Sequence, residues 1–302
     1  MKQPWFQPAI GKAIAATDST FRIAYDAGLQ AAPDTYMPVE QWKDSKDQTR
    51  ESRKDIRELQ QALQASKRFS VLAIFQALDA AGKDGAVREV FKGVNPGGLK
   101  VTSFKSPSEQ EVEHDFLWRT SKALPRDGEI GIFNRSYYEE VLVVRVHPGY
   151  LDSQYAGYPP PVETLWPARY QAIREHELHL AQSNTLVLKF WLNVSPQRQA
   201  RRFLERLDDP EKRWKFSTGD LREARLRDQY DQAVLQMFNE TSRPWAPWFC
   251  IPADERWYAR WKIAETIKQA MSALPLPYPE GESLSDDQVS EFRAELENRR
   301  DS

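Results

Sequence analysis

The amino-acid sequence predicts an α/β fold in which a mostly parallel sheet is covered by helices on both faces. Short apolar runs alternate with stretches of helical periodicity along much of the chain, and this alternation is typical of parallel sheets built from strand–helix–strand units. The runs 71–75 and 186–192 are almost continuously apolar. Such runs indicate strands that are buried on both faces, because a strand with one face in water alternates apolar and polar residues.

The predicted elements follow from these runs and periodicities. The candidate strands are 71–78, 99–104, 129–134, 186–193 and 248–252. Helical patterns are found at 82–93, 108–124, 136–146, 163–183, 196–207, 221–241 and 255–272. In open parallel sheets ligands bind beyond the carboxyl ends of the strands. We therefore expect the functional site near Asp79, Asn134 and Asn193, which lie at or just beyond the ends of three candidate strands.

We interpret residues 1–302 as a single domain with peripheral additions. The first 50 residues are proline-dotted and aperiodic, so we expect an N-terminal extension wrapped over the core, followed by a charged helix at 51–67. The turn-rich segment 147–161 predicts a surface loop. Beyond Pro275 we expect a peripheral tail, 275–302, which contains one polar helix at 286–300.

Composition narrows the possible functions. Hydrophobic residues make up 40% of the chain, enough for a sizeable core, and the formal net charge is −2. Any site for a polyanion must therefore be local, and we expect no nucleic-acid partner. We find no signal peptide and no apolar run of about 18 residues, so we expect a cytoplasmic protein with no membrane partner. The single cysteine, Cys250, fits a reducing compartment and lies in an apolar run, which predicts a core position.

Residues 71–85 form the most informative segment of the chain. An apolar run is followed by a short loop that ends in Gly82-Lys83 and then by a helical pattern. A loop of this kind presents backbone N–H groups at the positive end of a helix, where phosphate binds. The spacing matches the P-loop pattern with two departures, Ala77 for the first glycine and Asp84 for the Ser or Thr that holds Mg²⁺. The residues expected to contact phosphate are Ala80, Ala81, Gly82, Lys83, Asp84 and Gly85.

Asp79 lies inside this loop, three residues before Gly82. A carboxylate beside bound phosphates requires a cation between the two negative groups, and Mg²⁺ favours one or two carboxylates together with phosphate oxygens and water. We therefore predict that Asp79 binds Mg²⁺. The alternative is that Asp79 caps the N-terminus of the helix that follows.

A second motif, Gly131-Ile-Phe-Asn-Arg-Ser136, joins the third candidate strand to a helical pattern. In nucleotide kinases this position supplies a polar ligand to Mg²⁺ and an arginine to the transferring phosphoryl group. Asn134 and Arg135 are the residues that fit these two roles, because a guanidinium offers a rigid fork of donors to phosphate oxygens. The alternative is a helix cap at Asn134 or Ser136 with Arg135 on the surface.

The third candidate is a basic segment after the fourth strand, which we interpret as a mobile lid over about 196–225. Between residues 197 and 227 there are 10 Lys or Arg against 6 Asp or Glu. Arg198, Arg202 and Arg206 recur every four residues and form one stripe on a helix, followed by Lys215. We expect nothing anionic to neutralise this stripe, because Glu205 lies to one side. Alternatively, the row is simply a solvated helix face.

Several motifs together resemble the second family of polyphosphate kinases. The matching stretches lie in the same order over about residues 50–270, which makes the resemblance specific. They are 79–85, 93–96, 133–147, 201–206, 209–215, 246–254 and 257–260.

This resemblance implies a P-loop kinase-like, three-layer α/β/α fold with a helical lid. It also implies Mg²⁺-dependent phosphoryl transfer between inorganic polyphosphate and adenine nucleotides. By motif, Asp79 would be the metal-binding acid, Lys83 the phosphate-loop lysine, and Asn134-Arg135 the third-strand motif, with Asn134 also at the metal. Arg198, Arg202 and Lys215 would hold polyphosphate. We also expect a homo-oligomer.

The departures from the family pattern point to a particular class. Many members carry Asp-Arg at the third-strand motif and Gly after the phosphate-loop lysine, whereas this chain has Asn134, Glu139 and Asp84. This combination resembles the third class, whose members phosphorylate both AMP and ADP, and it places Glu139 among the catalytic candidates. Ala77 stands where the family has Gly, which we expect the loop to tolerate.

Two alternatives to this function remain open at the level of sequence. An ATP-dependent nucleoside monophosphate kinase would use the same phosphate loop but does not need so broad a basic lid. A non-catalytic polyphosphate- or nucleic-acid-binding protein with a decayed P-loop would account for Ala77 and Asp84. The presence of Asp79, Lys83 and Arg135 together disfavours this second alternative.

Overall fold

A five-stranded, entirely parallel sheet forms the centre of the computed structural model, which describes residues 4–38, 43–281 and 284–301. The strands are β1 (Ser70–Gln76), β2 (Leu99–Ser103), β3 (Ile130–Asn134), β4 (Thr185–Asn193) and β5 (Trp248–Pro252). Their spatial order is β2-β3-β1-β4-β5, and β1 pairs with both β3 and β4. The α/β fold is confirmed, and each strand begins within one residue of its predicted start.

The helices in the described residues connect these strands and extend the chain at both ends. They are α1 (Pro8–Ala15), α2 (Ser45–Ser66), α3 (Lys83–Val90), α4 (Glu109–Val112), α5 (Trp118–Ser121), α6 (Val143–Val146), α7 (Tyr150–Gln154), α8 (Val162–Gln182), α9 (Pro196–Asp208), α10 (Thr218–Arg225), α11 (Arg227–Thr241), α12 (Arg256–Ser272) and α13 (Asp286–Asp301). Short 3₁₀ turns occur at Pro96–Gly98, Tyr137–Glu140 and Arg213–Lys215. None of the helices described here is long and apolar enough to cross a membrane.

Two sets of helices sandwich the sheet. In one set α12 packs against α2, α3 and α1, while in the other α8 packs against β4 and α11. Every residue of β1, β4 and β5 is buried, as strands covered on both faces must be. The polar members of these strands, such as Lys189 at the middle of β4, therefore need partners inside the protein.

The N-terminal segment covers the outer edge of β5. Arg22 forms an antiparallel bridge with Phe249, with hydrogen bonds from Ile23 N to Trp248 O (2.8 Å) and from Cys250 N to Phe21 O (2.8 Å). The segment thereby pairs N–H and C=O groups that an open sheet edge would leave free. Helix α1, which was not predicted, buries Ile10 and Ala13. With eight residues, α1 spans little more than two turns, which is too short to give a clear periodicity.

Three of the predicted helices differ from the structure. The pattern at 108–124 is two one-turn helices, α4 and α5, and 136–146 is a 3₁₀ turn followed by α6. The pattern at 221–241 breaks at Leu226 between α10 and α11. In each case apolar residues recur at helical spacing, but the helix is interrupted. Between α4 and α5, for example, Asp115 accepts a hydrogen bond from the backbone N–H of Leu117 (2.9 Å) and forms a turn.

The packing of β3 against the preceding loop gives a first prediction. A Cβ at Gly131 would lie 2.9 Å from Cδ of Pro125, whose ring cannot move aside, whereas a Cβ at Gly149 would meet nothing within 4 Å. We expect Gly131→Ala to lower the free energy of unfolding by about 1–3 kcal/mol through overpacking. Gly149→Ala, the control, should change it by less than about 1 kcal/mol. Urea denaturation measures both, and equal values for the two variants would contradict this packing.

Candidate active site

The loop between β1 and α3, residues 77–82, is the phosphate loop of this structure. Gly82 adopts a left-handed backbone (φ 97°) and immediately precedes Lys83, the first residue of α3. Ala80 is also left-handed (φ 61°), a conformation that costs a non-glycine residue about 1–2 kcal/mol. Ala77 is not among the described residues with positive φ. An alanine in place of glycine at this position therefore imposes no backbone strain.

Lys83 folds back over the phosphate loop. Its Nζ donates to the carbonyl oxygens of Ala77 (2.8 Å) and Leu78 (3.3 Å). Burial, with a smaller contribution from the nearby Arg135, lowers the pKa of Lys83 to about 8. The ammonium group is thus largely charged at pH 7 and lies against the carbonyl oxygens of the loop.

Arg135 stands directly opposite the phosphate loop. Its guanidinium donates to Oδ1 of Asp79 (2.8 Å) and lies 3.8 Å from Oε2 of Glu139. Burial opposes the charge of Arg135, but Glu139 and Asp79 outweigh burial and raise its pKa above the usual value. Asp79 does not cap α3, because the cap residue is Gly82 and no side chain caps that helix. The structure therefore brings three of the predicted catalytic residues, Asp79, Arg135 and Glu139, into one cluster.

Asn134 and Asp84 meet across the same cluster. The amide Nδ2 of Asn134 donates to Oδ1 of Asp84 (2.5 Å) and lies 3.5 Å from Oγ of Ser103. Asn134 ends β3 and Asp84 lies in the first turn of α3. Two of the residues that depart from the family pattern, Asn134 and Asp84, are thus direct partners.

Arg202 holds the backbone of the phosphate loop. It is 5% exposed, and its guanidinium donates to the carbonyl oxygens of Ala80 (3.0 Å), Ala81 (2.7 Å) and Ala253 (2.7 Å). Burial, followed by repulsion from Arg256 and Arg198, lowers the pKa of Arg202 to about 10. Arg202 therefore joins the loop after β1 to the end of β5.

The prediction that nothing anionic neutralises the arginine stripe is wrong. Glu205 lies 3.5 Å from Arg198 and 2.8 Å from Arg256. Arg206 pairs with Asp220 at 3.2 Å. Arg198 and Glu205 are two helical turns apart on α9, and their long side chains span that distance. Three arginines that the sequence places on one stripe thus have three different surroundings.

A cleft of about 710 Å³ opens above these residues. It is lined by ten basic and three acidic side chains: Lys83, Arg88, Lys105, Arg135, Arg202, Arg206, Lys212, Lys215, Arg256 and Arg260 against Asp79, Asp84 and Glu205. We refer to it as the basic cleft. In a chain of net charge −2, so strong a local excess of positive charge favours a polyanionic ligand. Arg198 is not among the residues that line it.

A smaller pocket of about 140 Å³ lies on the other side of the cluster. Asp79 and Arg135 line both the pocket and the basic cleft, while Glu139, Glu223 and Tyr230 line the pocket alone. Groups bound on two sides of the cluster could thus reach the same carboxylate and the same guanidinium.

Comparison with known proteins identifies the family. The family model described as Polyphosphate kinase 2 matches residues 40–276. The chain belongs to the polyphosphate kinase 2 family. It is 46% identical over 242 residues to an ADP-polyphosphate phosphotransferase of Rhodopseudomonas palustris, with 80% of this chain and 84% of that protein covered. It is 45% identical over 236 residues to an AMP/ADP-polyphosphate phosphotransferase of Meiothermus ruber, with 78% and 84% covered.

A solved structure agrees with this assignment. Polyphosphate Kinase 2 from Arthrobacter aurescens TC1 superposes with a TM-score of 0.81 at 33% identity and covers 98% of this chain and all of that one. The resemblance derived from the sequence motifs is therefore confirmed, and with it the P-loop kinase-like fold. The individual roles of the site residues stay predictions.

The structure adds residues to the polyphosphate kinase 2 site that the motifs did not single out. Arg88, Lys105 and Arg256 line the basic cleft, although nothing in their local sequence distinguishes them from surface cations. Gln199 donates its side-chain amide to the carbonyl of Asp79 (2.9 Å). Arg260 could have been found from the sequence, because it ends the family-like stretch 257–260.

The contrast between Arg202 and Arg198 gives a second prediction. We expect Arg202→Met to lower the free energy of unfolding by about 1–3 kcal/mol, because buried carbonyl groups of the phosphate loop lose their donor. Arg198→Met, on the same helix, should change it by no more than about 0.5 kcal/mol, since Arg198 is half-exposed and pairs only weakly. Urea denaturation of both variants measures the difference. Similar losses would show that Arg202 is not the clamp of the loop.

Proposed function

We propose that this protein transfers a phosphoryl group between inorganic polyphosphate and AMP or ADP, forming ADP or ATP. The observation that carries the proposal is the basic cleft, whose ten cations converge on the phosphate loop. Membership of the polyphosphate kinase 2 family and relatives named as ADP- and AMP/ADP-polyphosphate phosphotransferases support it.

The basic cleft suits a chain of phosphates better than a single nucleotide. Arg88 and Arg260 lie at one side of the phosphate loop, while Lys212 and Lys215 line the cleft from the lid segment. Each phosphate of a polyphosphate chain carries negative charge, so successive phosphates of the ligand can contact successive cations of the basic cleft. An ATP-dependent kinase needs cations around three phosphates only, and the remaining ones would repel each other without a partner.

The residues at the cluster fit Mg²⁺, which we propose as the cofactor. Asp79 and Asp84 supply carboxylate oxygens and Asn134 an amide oxygen, the ligand atoms that Mg²⁺ prefers. In the part of the chain that the structure describes, no group of three or more His, Cys, Asp or Glu could hold a metal ion by itself. This agrees with an ion held by one or two carboxylates together with substrate phosphates. When bound, Mg²⁺ would neutralise phosphate charge during the transfer.

The protein side chains then act by positioning and charge. Lys83 releases the carbonyls of Ala77 and Leu78 and turns its ammonium group to the bound phosphates, which replace those acceptors. Arg135 offers its fork of N–H donors to the oxygens of the phosphoryl group in transit, and Glu139 keeps that fork oriented. Transfer of this kind relies on electrostatic stabilisation and alignment and needs no covalent enzyme intermediate.

Asn134 and Glu139 support the acceptance of AMP as well as ADP. At the end of β3 a neutral amide stands in place of a carboxylate, while Asp84 keeps one carboxylate on α3. The lower negative charge at position 134 eases the approach of acceptors that differ in charge. The comparisons leave both acceptors open, because one close relative is named for ADP and another for AMP and ADP.

Lys83 and Asp79 give a third prediction. We expect Lys83→Ala and Asp79→Asn each to reduce the rate of phosphoryl transfer by at least about 10²-fold, because each removes a preoriented charge from the transition state. Lys92→Ala, an exposed lysine beyond α3, serves as the control and should keep normal activity. Steady-state rates and circular dichroism separate lost chemistry from lost folding. Near-normal turnover in either site variant would overturn its assigned role.

A donor and acceptor assay gives the fourth prediction and tests the proposed function. The protein is incubated with Mg²⁺ and AMP, with either polyphosphate or ATP as the only donor and without added ADP or adenylate kinase. A parallel reaction supplies polyphosphate and ADP without AMP. With polyphosphate we expect ADP to form first and ATP to follow. Phosphorylation of AMP with ATP as donor but not with polyphosphate would favour the monophosphate kinase. If AMP is phosphorylated by neither donor and ADP is not phosphorylated either, a binding protein is favoured. Conversion of ADP but not of AMP would restrict the acceptor to ADP.

A further inference from the structure

A buried polar cluster lies behind the turn that follows Arg135. Glu177 on α8 accepts hydrogen bonds from the hydroxyl groups of Tyr137 (2.9 Å) and Tyr138 (2.8 Å). Lys189 on β4 donates to Glu177 (2.6 Å), to the Tyr138 hydroxyl (2.8 Å) and to the carbonyl of Thr241 (2.8 Å). All five residues have a relative exposure of 0%. The motifs used above assign no role to Glu177 or Lys189.

Such a cluster is costly to bury. Burial lowers the pKa of Lys189 and raises that of Glu177, so it opposes the charge of both. An ion pair in a protein interior often contributes no more to stability than well-packed apolar residues would. The pair instead restricts the relative positions of α8, β4 and the turn, because its charged atoms make all of these hydrogen bonds in only one arrangement of the three.

The cluster fixes the 3₁₀ turn Tyr137–Glu140 on its inner side. Glu140 is fixed as well, since Arg169 donates to its carbonyl oxygen (2.8 Å) and Gln154 to its carboxylate (2.7 Å). Glu139 is the one member of the turn that is not buried. It faces Arg135 and accepts a hydrogen bond from the buried Gln76 (2.9 Å).

The 3₁₀ turn also fixes the position of Arg135. The backbone of Arg135 is left-handed (φ 63°), a strained conformation for a residue with a side chain, which persists only where its surroundings impose it. Its N–H is held by the carbonyl of Phe75 on one side (3.0 Å), and Ser136 leads directly into the anchored turn on the other. Loss of the anchor would let Arg135 relax away from Asp79.

We propose that Glu177 and Lys189 are positioning residues for phosphoryl transfer. They hold the Tyr137 and Tyr138 hydroxyls, and through this turn they keep Arg135 and Glu139 in place at Asp79. The inference rests on the proposed function in so far as Arg135 acts on the transferring group.

The test replaces the ion pair by apolar residues in the double variant Glu177→Leu/Lys189→Met, which avoids leaving one buried charge alone. We expect a folded protein whose kcat falls at least about tenfold, because small displacements of catalytic groups have large effects. Its KM for polyphosphate should change by less than about threefold, since Arg135 is the one cation of the basic cleft that we expect to move and the other nine stay in place. Thr185→Val is the control: it breaks a buried hydroxyl pair with Ser70 (2.9 Å) at the opposite end of β4 and should leave kcat unchanged.

A double-mutant cycle distinguishes positioning from general loosening. In an Arg135→Ala background the double variant should cause little further loss of kcat, because its effect passes through Arg135; losses that multiply would overturn the proposal. Wild-type kcat in the folded double variant, or an equal loss in Thr185→Val, would also overturn it. If the double variant does not fold, Tyr137→Phe/Tyr138→Phe replaces it with the same expected results. Failure of the proposed function itself would be seen first, as absence of transfer by the unaltered protein.

Discussion

The site depends on one buried guanidinium, that of Arg202. It donates to carbonyl groups after β1 and after β5, and it stands on α9, which follows β4. A phosphate loop must present its N–H groups outward to bind an anion, so that its carbonyls point back into the protein and require donors. Arg202 supplies them, and Asp254 adds a second tie by accepting hydrogen bonds from Ser195, the cap of α9. Arg202 and Asp254 thus hold the segments that follow β1, β4 and β5 in one fixed arrangement.

In the basic cleft beside these strand ends, the charged side chains are arranged to bind a ligand rather than to stabilise the protein itself. The cations of the basic cleft outnumber its acidic groups by ten to three, and burial lowers the pKa of both Lys83 and Arg202. Cations placed so close together repel one another and lose part of their hydration, both of which cost free energy. A bound polyanion would remove the repulsion, which is why the same arrangement that destabilises the free protein favours binding.

How far the sequence predicts the structure depends on the distance between interacting residues. The bounds of β1 and β4 were predicted to within two residues because their signal, an almost continuous apolar run, is local. The turn at 137–140 was predicted as helix because Tyr137, Tyr138 and Val141 recur at helical spacing, whereas its long-range hydrogen bonds come from Glu177 and Arg169, far along the chain. Arg202 was predicted to bind phosphate, but its role as a clamp depends on carbonyl groups more than 50 residues away on either side. Such long-range pairs leave no pattern in the sequence.

The two unusual residues of the site are best understood as a pair. The resemblance leads one to expect aspartate at position 134 and glycine at position 84, whereas this chain has Asn134 and Asp84, joined by a hydrogen bond of 2.5 Å. With aspartate at both positions, two carboxylates would meet at that distance, an arrangement that raises the pKa of one of them unless a cation lies between. Asparagine avoids the conflict because its amide donates to the carboxylate. The chain therefore keeps one carboxylate at this point of the cluster but moves it from the end of β3 to the first turn of α3, beside the positive end of that helix, where a negative charge is favoured.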